Sequence, residues 1–579
     1  MILSLIALGI AGGIAYIWSA RGFFSALMHM VVVIFAGAAA FAVWEPVAYM
    51  LIEKGDQWIV DLSWGIALAV PFTVILTSVR LGLDKAVPKN VAADQVVDMV
   101  GGGLCGAVSG TITAGIVILS LSSMKLGTDM IVGFSPMSYD ATGNLVRRNG
   151  LLYPVDRLTA GFYSFLSNGT LSTPTPLARW RPGLQDEGAL LRTSFENGTA
   201  KSIARPGDFK LLGRYTVARA KPVANLFKDD QQAREQQIRT IDNEAVTPNG
   251  SYLDAYVLNF NSGAREAGGF ISIGAGQVRL VCVPEEGSGP SIGLQPIAVI
   301  SRAAGDSLDL GRWRYDAREV YIASAGGAAD SRMAFEFAVP RGHVPLALYV
   351  KSVRVNVGDV KPFAEFAAPE DRDFDVRSKD LLVKAAASET IQGSGATVTV
   401  NESFVRVTNG IGGNLIFNAG DKRGIEINDK NRIIGGEAKF TVAELAKASG
   451  IDRALQIRSF ASSYTNSIIQ VDVSGNSPFS LAGDAAAGAE GAPALIDALG
   501  QRYPAVGFLF KNKQIVHLRM RVDAPITSLS ELPTISRSAP DNNLVLIFRP
   551  DLNVEIVSFV IGNKEVAKFD TPIKVGQQK

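Results

Sequence analysis

The chain of 579 residues contains only two cysteines and three histidines. Cys105 lies in an apolar run and Cys282 in a predicted strand, so we expect no disulfide between them. His29, His343 and His517 lie far apart in the sequence, which argues against a histidine-based metal site. We therefore expect neither a disulfide framework nor a bound metal or other cofactor.

The chain also lacks an excess of charge of one sign. Its 56 Lys and Arg residues are balanced by 55 Asp and Glu residues, so no basic field points to a nucleic-acid partner. The sequence has no nucleophile elbow, HExxH helix, phosphate-binding P-loop or CxxC pair. We expect a protein that is not an enzyme. An extracytoplasmic hydrolase is the least favoured alternative, because no nucleophile–base set is visible.

Apolar residues are concentrated at the N-terminus, in four runs at 2–18, 23–44, 58–79 and 100–121. Each run is long enough, as a helix, to cross a hydrocarbon layer of about 30 Å. The first run lacks a basic segment before it and is followed by three more, which favours a true span over a cleaved signal peptide. Residues 1–125 are therefore predicted to form a four-helix transmembrane bundle.

The positive charges of the short loops predict the orientation of this bundle. Arg21 follows the first span, and Arg80, Lys85 and Lys89 follow the third, whereas the loop after the second span has only Lys54. The first and third loops are therefore predicted to face the cytoplasm. Both termini and all of residues 126–579 would then be extracytoplasmic.

The fourth span carries Gly102, Gly106 and Gly110 at a spacing of four residues. Small residues at this spacing allow two helix backbones to approach closely. The row predicts helix packing, either in a homo-oligomer formed through the fourth span or against the protein's own spans. We favour packing within one chain.

Three polar residues, His29, Arg80 and Asp98, fall towards the cytoplasmic ends of their spans. They are candidates for a buried polar cluster or a proton relay. The favoured alternative is that the long side chains extend to the membrane border and that one carboxylate stabilises a helix N-terminus. No span has a charged residue near its centre, which argues against a pump or a transporter.

Short motifs at the span junctions suggest a family. The junction of the first two spans is Arg21-Gly22-Phe23, and the loop before the last span contains Leu83-Asp84. Together with the Gly-spaced last span, these features resemble the colicin V production protein (CvpA) family. The resemblance covers about residues 1–125.

In that family the last span opens with an Asp and glycines four residues apart, matched here by Asp98, Gly102 and Gly106. The family often has Arg after this Asp, whereas this chain has Met99, so a role of that Arg is not expected here. The resemblance implies a multi-pass inner-membrane protein needed for toxin (colicin V) production or export, or for envelope maintenance. The family is not known for enzymatic activity.

Residues 126–245 are predicted to connect the bundle to the rest of the chain. An amphipathic helix is expected at 154–166, where Leu158, Phe162 and Phe165 recur at helical spacing. Its polar face lacks the Lys and Arg enrichment of bilayer-surface helices, so we expect it to cover a β-domain. The charged segment 227–244 is predicted to be a solvated helix or a linker.

The rest of the chain shows the alternation of strands, and we expect two β-sandwich domains, at 246–370 and 371–579. Strand-like runs are predicted at 256–260, 277–283, 296–301, 320–324, 333–339 and 346–357, and short helices at 442–449 and 492–499. A strand, a Pro turn and a second strand occur at 330–350 and again at 541–560, which indicates internal duplication.

The sequence thus predicts a membrane-anchored protein whose β-rich part binds a protein or polysaccharide of the envelope. The alternative is an oligomeric channel or transport component built from the helices.

Overall fold

A computed structural model defines the fold. It describes residues 2–87, 94–125, 137–139, 145–147, 150–169, 172–192, 201–217, 251–266, 271–286, 289–302, 310–314, 321–323, 331–377, 381–382, 395–412, 415–448, 450–462, 466–498, 500–522, 524–552 and 554–576. The predicted charged segment 227–244 lies outside these residues.

Four long helices form the N-terminal region: α1 (Ile2–Arg21), α2 (Phe23–Lys54), α3 (Gln57–Ala86) and α4 (Gln95–Ser122). All four are long and apolar enough to cross a membrane, so the prediction of four long apolar helices is confirmed. The helices extend beyond the apolar runs, because residues such as Glu53 and Lys54 favour helix without being apolar.

The four helices form an antiparallel bundle in which α1 lies along α4 and α2 lies along α3 and α4. We call the end with Ser4, Gly55 and Ser122 the outer end, and the opposite end the inner end. Large apolar side chains, such as those of Phe35 and Leu104, are exposed on the bundle surface. A surface of this kind suits lipid, and the helices indicate a membrane protein.

Three shorter helices follow: α5 (Val155–Ser167), α6 (Leu177–Trp180) and α7 (Leu184–Arg192). The amphipathic helix predicted at 154–166 is therefore present as α5. The expectation that it covers a β-domain is wrong, because α5 packs against α4 and α2. Its apolar positions are complementary to the helix bundle, which helical periodicity alone cannot distinguish from a sheet.

Fourteen described strands precede the next helix; the first two pair with each other between α4 and α5, and the other twelve form the first β region. The strands are β1 (Met137–Tyr139), β2 (Leu145–Arg147), β3 (Phe209–Val217), β4 (Ser251–Phe260), β5 (Ile271–Ile273), β6 (Val278–Pro284), β7 (Ile292–Leu294), β8 (Ala298–Arg302), β9 (Leu310–Arg314), β10 (Tyr321–Ala323), β11 (Ser331–Pro340), β12 (His343–Val350), β13 (Val353–Asn356) and β14 (Ala364–Phe366). The helix is α8 (Pro369–Arg377).

Two larger sheets dominate this region. One has six strands in the order β14-β3-β4-β11-β8-β9, and the other has four in the order β13-β12-β6-β7. One core joins them, since it contains Tyr256 and Phe335 from the first sheet and Leu280 and Leu348 from the second. Because β3 pairs with β4, this β region begins before residue 246.

The predicted single run 346–357 is instead a hairpin of β12 and β13. The chain reverses at Lys351 and Ser352, whose φ angles are 45° and 73°. A positive φ at two successive residues is typical of the tight turns that join antiparallel strands. Neither residue is the Gly or Asn that signals such a turn, so the sequence pattern did not show it.

The second β region has strands β15–β29 and a further helix, α9 (Val442–Ala448), close to the predicted 442–449. The strands are β15 (Ala396–Val398), β16 (Val405–Val407), β17 (Phe417–Asn418), β18 (Ile425–Ile427), β19 (Arg432–Thr441), β20 (Gln456–Ile457), β21 (Ser459–Phe460), β22 (Ile469–Asp472), β23 (Pro493–Asp497), β24 (Arg502–Pro504), β25 (Gly507–Lys511), β26 (Ile515–Met520), β27 (Asn543–Phe548), β28 (Glu555–Ile561) and β29 (Lys564–Lys574).

Five- and eight-stranded sheets dominate this second region. Residues from both sheets, including Leu546 from β27 and Phe559 from β28, share one core. The helix predicted at 492–499 is wrong, because this segment forms β23 between β24 and β28. Pairing on both sides outweighs the helix propensity of its Ala and Leu residues.

The two strand–Pro-turn–strand segments have the same role in both regions. β11 belongs to the six-stranded sheet and β12 to the four-stranded sheet, and β27 and β28 likewise belong to different sheets. In each case the turn carries the chain from one sheet to the facing one, so neither segment is a hairpin.

Candidate functional site

Two of the three polar residues predicted at the inner end, His29 and Arg80, lie around Trp18 together with Arg21. The ring of His29 stacks on the Trp18 ring with centroids 4.3 Å apart, and the Cζ atoms of Arg80 and Arg21 lie 4.9 and 5.2 Å from its centroid. Arg80 also donates to Ser25 Oγ at 3.1 Å. Trp18 thus brings together His29, Arg80 and Arg21 through cation–π and stacking contacts.

Asp98 has a separate role at the inner end. Its Oδ1 accepts a hydrogen bond from the backbone N–H of Phe23, the first residue of α2, at 3.0 Å. A carboxylate at this position stabilises the positive end of the helix dipole. Gly22 alone connects α1 to α2, with a φ of 86° that favours glycine.

The row Gly102, Gly106 and Gly110 lies against α1 of the same chain. A Cβ atom added at Gly110 would lie 2.5 Å from the Ala11 carbonyl oxygen, and one at Gly106 would lie 2.9 Å from Ala15 Cα. This face of α4 is therefore occupied by α1. A homo-oligomer formed through the fourth span would have to use another face of α4, such as the one with the exposed Leu104.

The structure shows a second group of charged residues at the outer end, which the sequence analysis did not single out. We call it the junction cluster, because it joins the helices to the first β region. Its members are Glu45 of α2, Arg181 and Glu187 of the segment with α6 and α7, Arg279 of β6, and Arg354 of β13.

Arg181 lies at the centre of the junction cluster and is 5% exposed. Its Cζ lies 4.9 Å from the ring centroid of Trp44, 4.4 Å from Trp64 and 5.0 Å from Tyr349. Its Nη1 donates to Glu187 Oε2 at 2.7 Å. The guanidinium is thus enclosed by the aromatic rings of two membrane-type helices and one β-strand.

Two carboxylates connect this arginine to strands of the β region. Glu187 also accepts a hydrogen bond from Arg279. Glu45 lies 3.8 Å from Arg181 Nη2 and accepts a hydrogen bond from Arg354 Nη1 at 2.8 Å. Every charged member of the junction cluster therefore has a partner of opposite sign, as burial requires.

Hydrogen bonds that involve backbone groups also connect α2 to the first β region. The backbone N–H of Arg354 donates to the Tyr49 hydroxyl at 2.9 Å, and Tyr49 packs against the core of the first β region. Arg205 Nη1 donates to the Ile52 carbonyl at 2.7 Å, and its Nη2 donates to the Gly55 carbonyl at 2.9 Å. Arg205 thus satisfies carbonyl groups that the C-terminus of α2 leaves without a helical partner.

The electrostatics of the junction cluster favour its charged forms. Burial opposes the charge of Arg181, but Glu187, Tyr349 and Glu45 together outweigh this effect and raise the pKa of Arg181. Burial would likewise raise the pKa of Glu187, but Arg279 and Arg181 outweigh it, and the net shift is downward. Burial raises the pKa of Tyr349 to about 12, so this hydroxyl stays protonated.

The junction cluster is suited to a mechanical connection rather than to chemistry. Its two carboxylates, Glu45 and Glu187, are both held by arginine side chains. Among the residues that the structure describes, no group of three or more His, Cys, Asp or Glu residues is placed to hold a metal ion. Cys105 and Cys282 are both buried, free thiols.

No family model matches this chain, and neither does any curated protein or solved structure.

Proposed function

We propose that the protein is a multi-pass inner-membrane protein whose helices hold a β-rich extracytoplasmic module, and that this module binds a protein or polysaccharide of the envelope. The observation that carries the proposal is the junction cluster. Buried charges and aromatic rings fix the first β region directly to the outer end of the helices. A module held in this way keeps a constant distance and orientation relative to the helices.

The resemblance to the colicin V production protein family supports the same proposal. It rests on Arg21-Gly22-Phe23, Asp98 and the glycine row, and it implies a role in toxin production or export, or in envelope maintenance. Two of these residues have structural roles: Gly22 forms the turn between α1 and α2, and Asp98 binds the start of α2. We further propose that each β region is a sandwich, because each has two sheets on a shared core.

Photo-crosslinking in intact cells tests the binding function. A photoreactive phenylalanine analogue at Phe374 or Leu455, two exposed residues of the β regions, should form adducts with an envelope macromolecule. The same analogue at Phe35, exposed on the bundle surface, is the control and should give no such adduct. If scanning the exposed β positions yields no macromolecular adduct, the binding proposal fails.

A further inference from the structure

We propose that α5 is a fifth membrane-embedded helix, which lies in the outer half of the hydrocarbon layer and binds lipid acyl chains through its exposed face. The sequence does not show this, because α5 is only 13 residues long and is too short to span. Its contacts with the bundle determine its depth.

We place the inner border of the apolar layer at the level of one hydrogen bond. The bond from Phe23 N–H to Asp98 Oδ1 places the start of α2 and the first turn of α4 at one level. From Phe23 to Trp44, α2 contains no Asp, Glu, Lys or Arg, a length of about 32 Å at 1.5 Å per residue. Glu45 and the junction cluster mark the outer border.

Contacts of α5 fall between these borders. The Tyr163 hydroxyl donates to the carbonyl oxygens of Val33 and Ile34, both at 3.3 Å. Val33 is about 15 Å along α2 from the inner border. Thr159 Oγ1 donates to the Thr111 carbonyl at 3.3 Å, and Thr111 is about 20 Å along α4 from Asp98. Both contacts therefore lie in or above the middle of the layer.

The bundle is shaped to receive α5. A Cβ atom at Gly37 of α2 would overlap the Tyr163 hydroxyl, and one at Gly115 of α4 would overlap Thr159 Oγ1. Only glycine leaves room for these two side chains. The residues that approach the bundle are accordingly buried, with Ala160 and Tyr163 at 1% and 2% exposure.

The opposite face of α5 is apolar and open. Leu158 is 48% exposed and Phe165 is 76% exposed. This surface belongs to the same bundle whose own outer surface exposes Phe35 at 53%. Its depth assigns it to lipid, because apolar side chains at this level meet acyl chains. Arg157 lies in the first turn, where a long side chain extends to the border.

The chain reaches α5 from the outer end and returns there. Before α5, the Leu152 backbone N–H donates to Ser4 Oγ near the start of α1. After α5, Arg181 lies between Trp44 and Trp64 at the outer border. The helix is therefore re-entrant, and its own hydrogen bonds satisfy the backbone groups in its centre, as a membrane-embedded segment requires.

Spin labels compare the environment of Phe165 on α5 with the environments of two other exposed phenylalanines, Phe35 and Phe374. In a Cys105→Ala/Cys282→Ala background, single cysteines replace Phe165, Phe35 or Phe374, and the full chain is placed in lipid nanodiscs. Phe374, on α8, is 71% exposed and provides the water-facing control. Collision rates with oxygen and with a polar nickel chelate are measured for each label.

The label at Phe165 should behave like the one at Phe35, colliding with oxygen more often than with the chelate. Collisions with the chelate at the level of Phe374 would show a water-exposed face and overturn the proposal. Low collision with both reagents would show that protein, such as a second copy of the chain, covers this face. That outcome would also overturn it.

A charge at the same position gives an independent readout. Phe165→Asp should lower the midpoint of thermal unfolding in nanodiscs by about 5 °C or more, because a carboxylate is unfavourable among acyl chains. Phe374 has a similarly exposed ring but lies on α8, outside the bundle. Phe374→Asp should therefore leave the midpoint unchanged. Equal midpoints for the two variants would contradict the lipid contact.

Discussion

At the scale of single residues, Arg181 shows why a buried charge can hold two parts of a protein together. The aromatic rings around it come from α2, α3 and β12, and its ion pair with Glu187 removes the cost of an isolated buried cation. Breaking such a pair from one side leaves the other charge buried without a partner, which costs about 3–5 kcal/mol.

Arg181→Met should therefore destabilise the protein strongly, since it leaves Glu187 with one arginine and empties the space between Trp44 and Trp64. We expect a loss of about 3 kcal/mol in the free energy of unfolding. Tryptophan fluorescence during denaturation in detergent measures this change. Arg179→Met is the matched control, because Arg179 is exposed and lies two residues away. Similar stabilities of the two variants would contradict a structural role of Arg181.

Glu336 offers a pH-dependent test in the first β region. Its carboxylate is fully buried and accepts hydrogen bonds of 2.6 Å from Arg312, Arg372 and the Tyr215 hydroxyl. Burial alone would raise the pKa of Glu336, but Arg312 and Arg372 outweigh it and lower the pKa to about 2. Because the unfolded chain binds this proton first, the stabilisation is complete above pH 4.5 and is lost as pH falls towards 2.

Glu336→Gln should lower the free energy of unfolding by about 3 kcal/mol at pH 7, because two buried arginines lose their carboxylate. The difference from the unmodified protein should shrink steadily below pH 4.5. Circular dichroism of thermal unfolding across this range provides the measurement, with the exposed Glu285→Gln as control. A penalty independent of pH would mean that the charge of Glu336 contributes nothing.

At the scale of helices and strands, the packing of α1 on α4 depends on the glycine row. Gly110→Ala places a Cβ 2.5 Å from the Ala11 carbonyl, so the two helices must separate. We expect a lower unfolding midpoint in detergent. Gly103→Ala is the control, because its Cβ would meet Ser19 Cβ at an ordinary 3.6 Å, and alanine favours helix over glycine. An unchanged midpoint for Gly110→Ala would show that this contact is dispensable.

The sequence predicts elements well where one signal dominates. Four apolar runs show α1 to α4, and short runs rich in Val, Ile, Phe and Tyr show strands such as β4 and β11. Prediction from sequence fails where pairing with neighbouring strands determines the secondary structure. At 492–499, for example, the Ala and Leu residues favour helix, but pairing with β24 and β28 makes this segment a strand. It also fails at Lys351-Ser352, where the turn has no turn-forming residue type.

The candidate site is harder to predict than the elements. Glu45 and Arg354 are 309 positions apart in the sequence, and no periodicity connects residues at such a separation. One signal was nevertheless present, since Trp44-Glu45 and Trp180-Arg181 each place a charge next to tryptophan, the residue of membrane borders. By contrast, the approach of His29 and Arg80 could be expected from their similar depth in neighbouring spans.

At the scale of the whole molecule, the antiparallel bundle separates two ends. The β regions follow α4 at the outer end, whereas the loop after α3 lies at the inner end. A cysteine replacing Lys85 and one replacing Leu455 should therefore lie on opposite sides of the membrane. With Cys105 and Cys282 changed to alanine, an impermeant maleimide applied to intact cells should label only the cysteine at 455.

Permeabilised cells should be labelled at both positions, which controls for the reactivity of each thiol. Labelling at 85 but not at 455 in intact cells would reverse the orientation that the loop charges predict. Labelling of both sites in intact cells would contradict the bundle itself.

The length of α2 has a mechanical consequence. It is one helix of 32 residues, about 48 Å long, of which only the first two thirds face the apolar layer. Its remainder is attached to the first β region, to β13 through Glu45 and Tyr49 and to Arg205 through the Ile52 carbonyl near its tip. If membrane thinning tilts this helix by about 10°, its tip swings by about 8 Å. A change in bilayer thickness would then change the orientation of the β regions relative to the membrane.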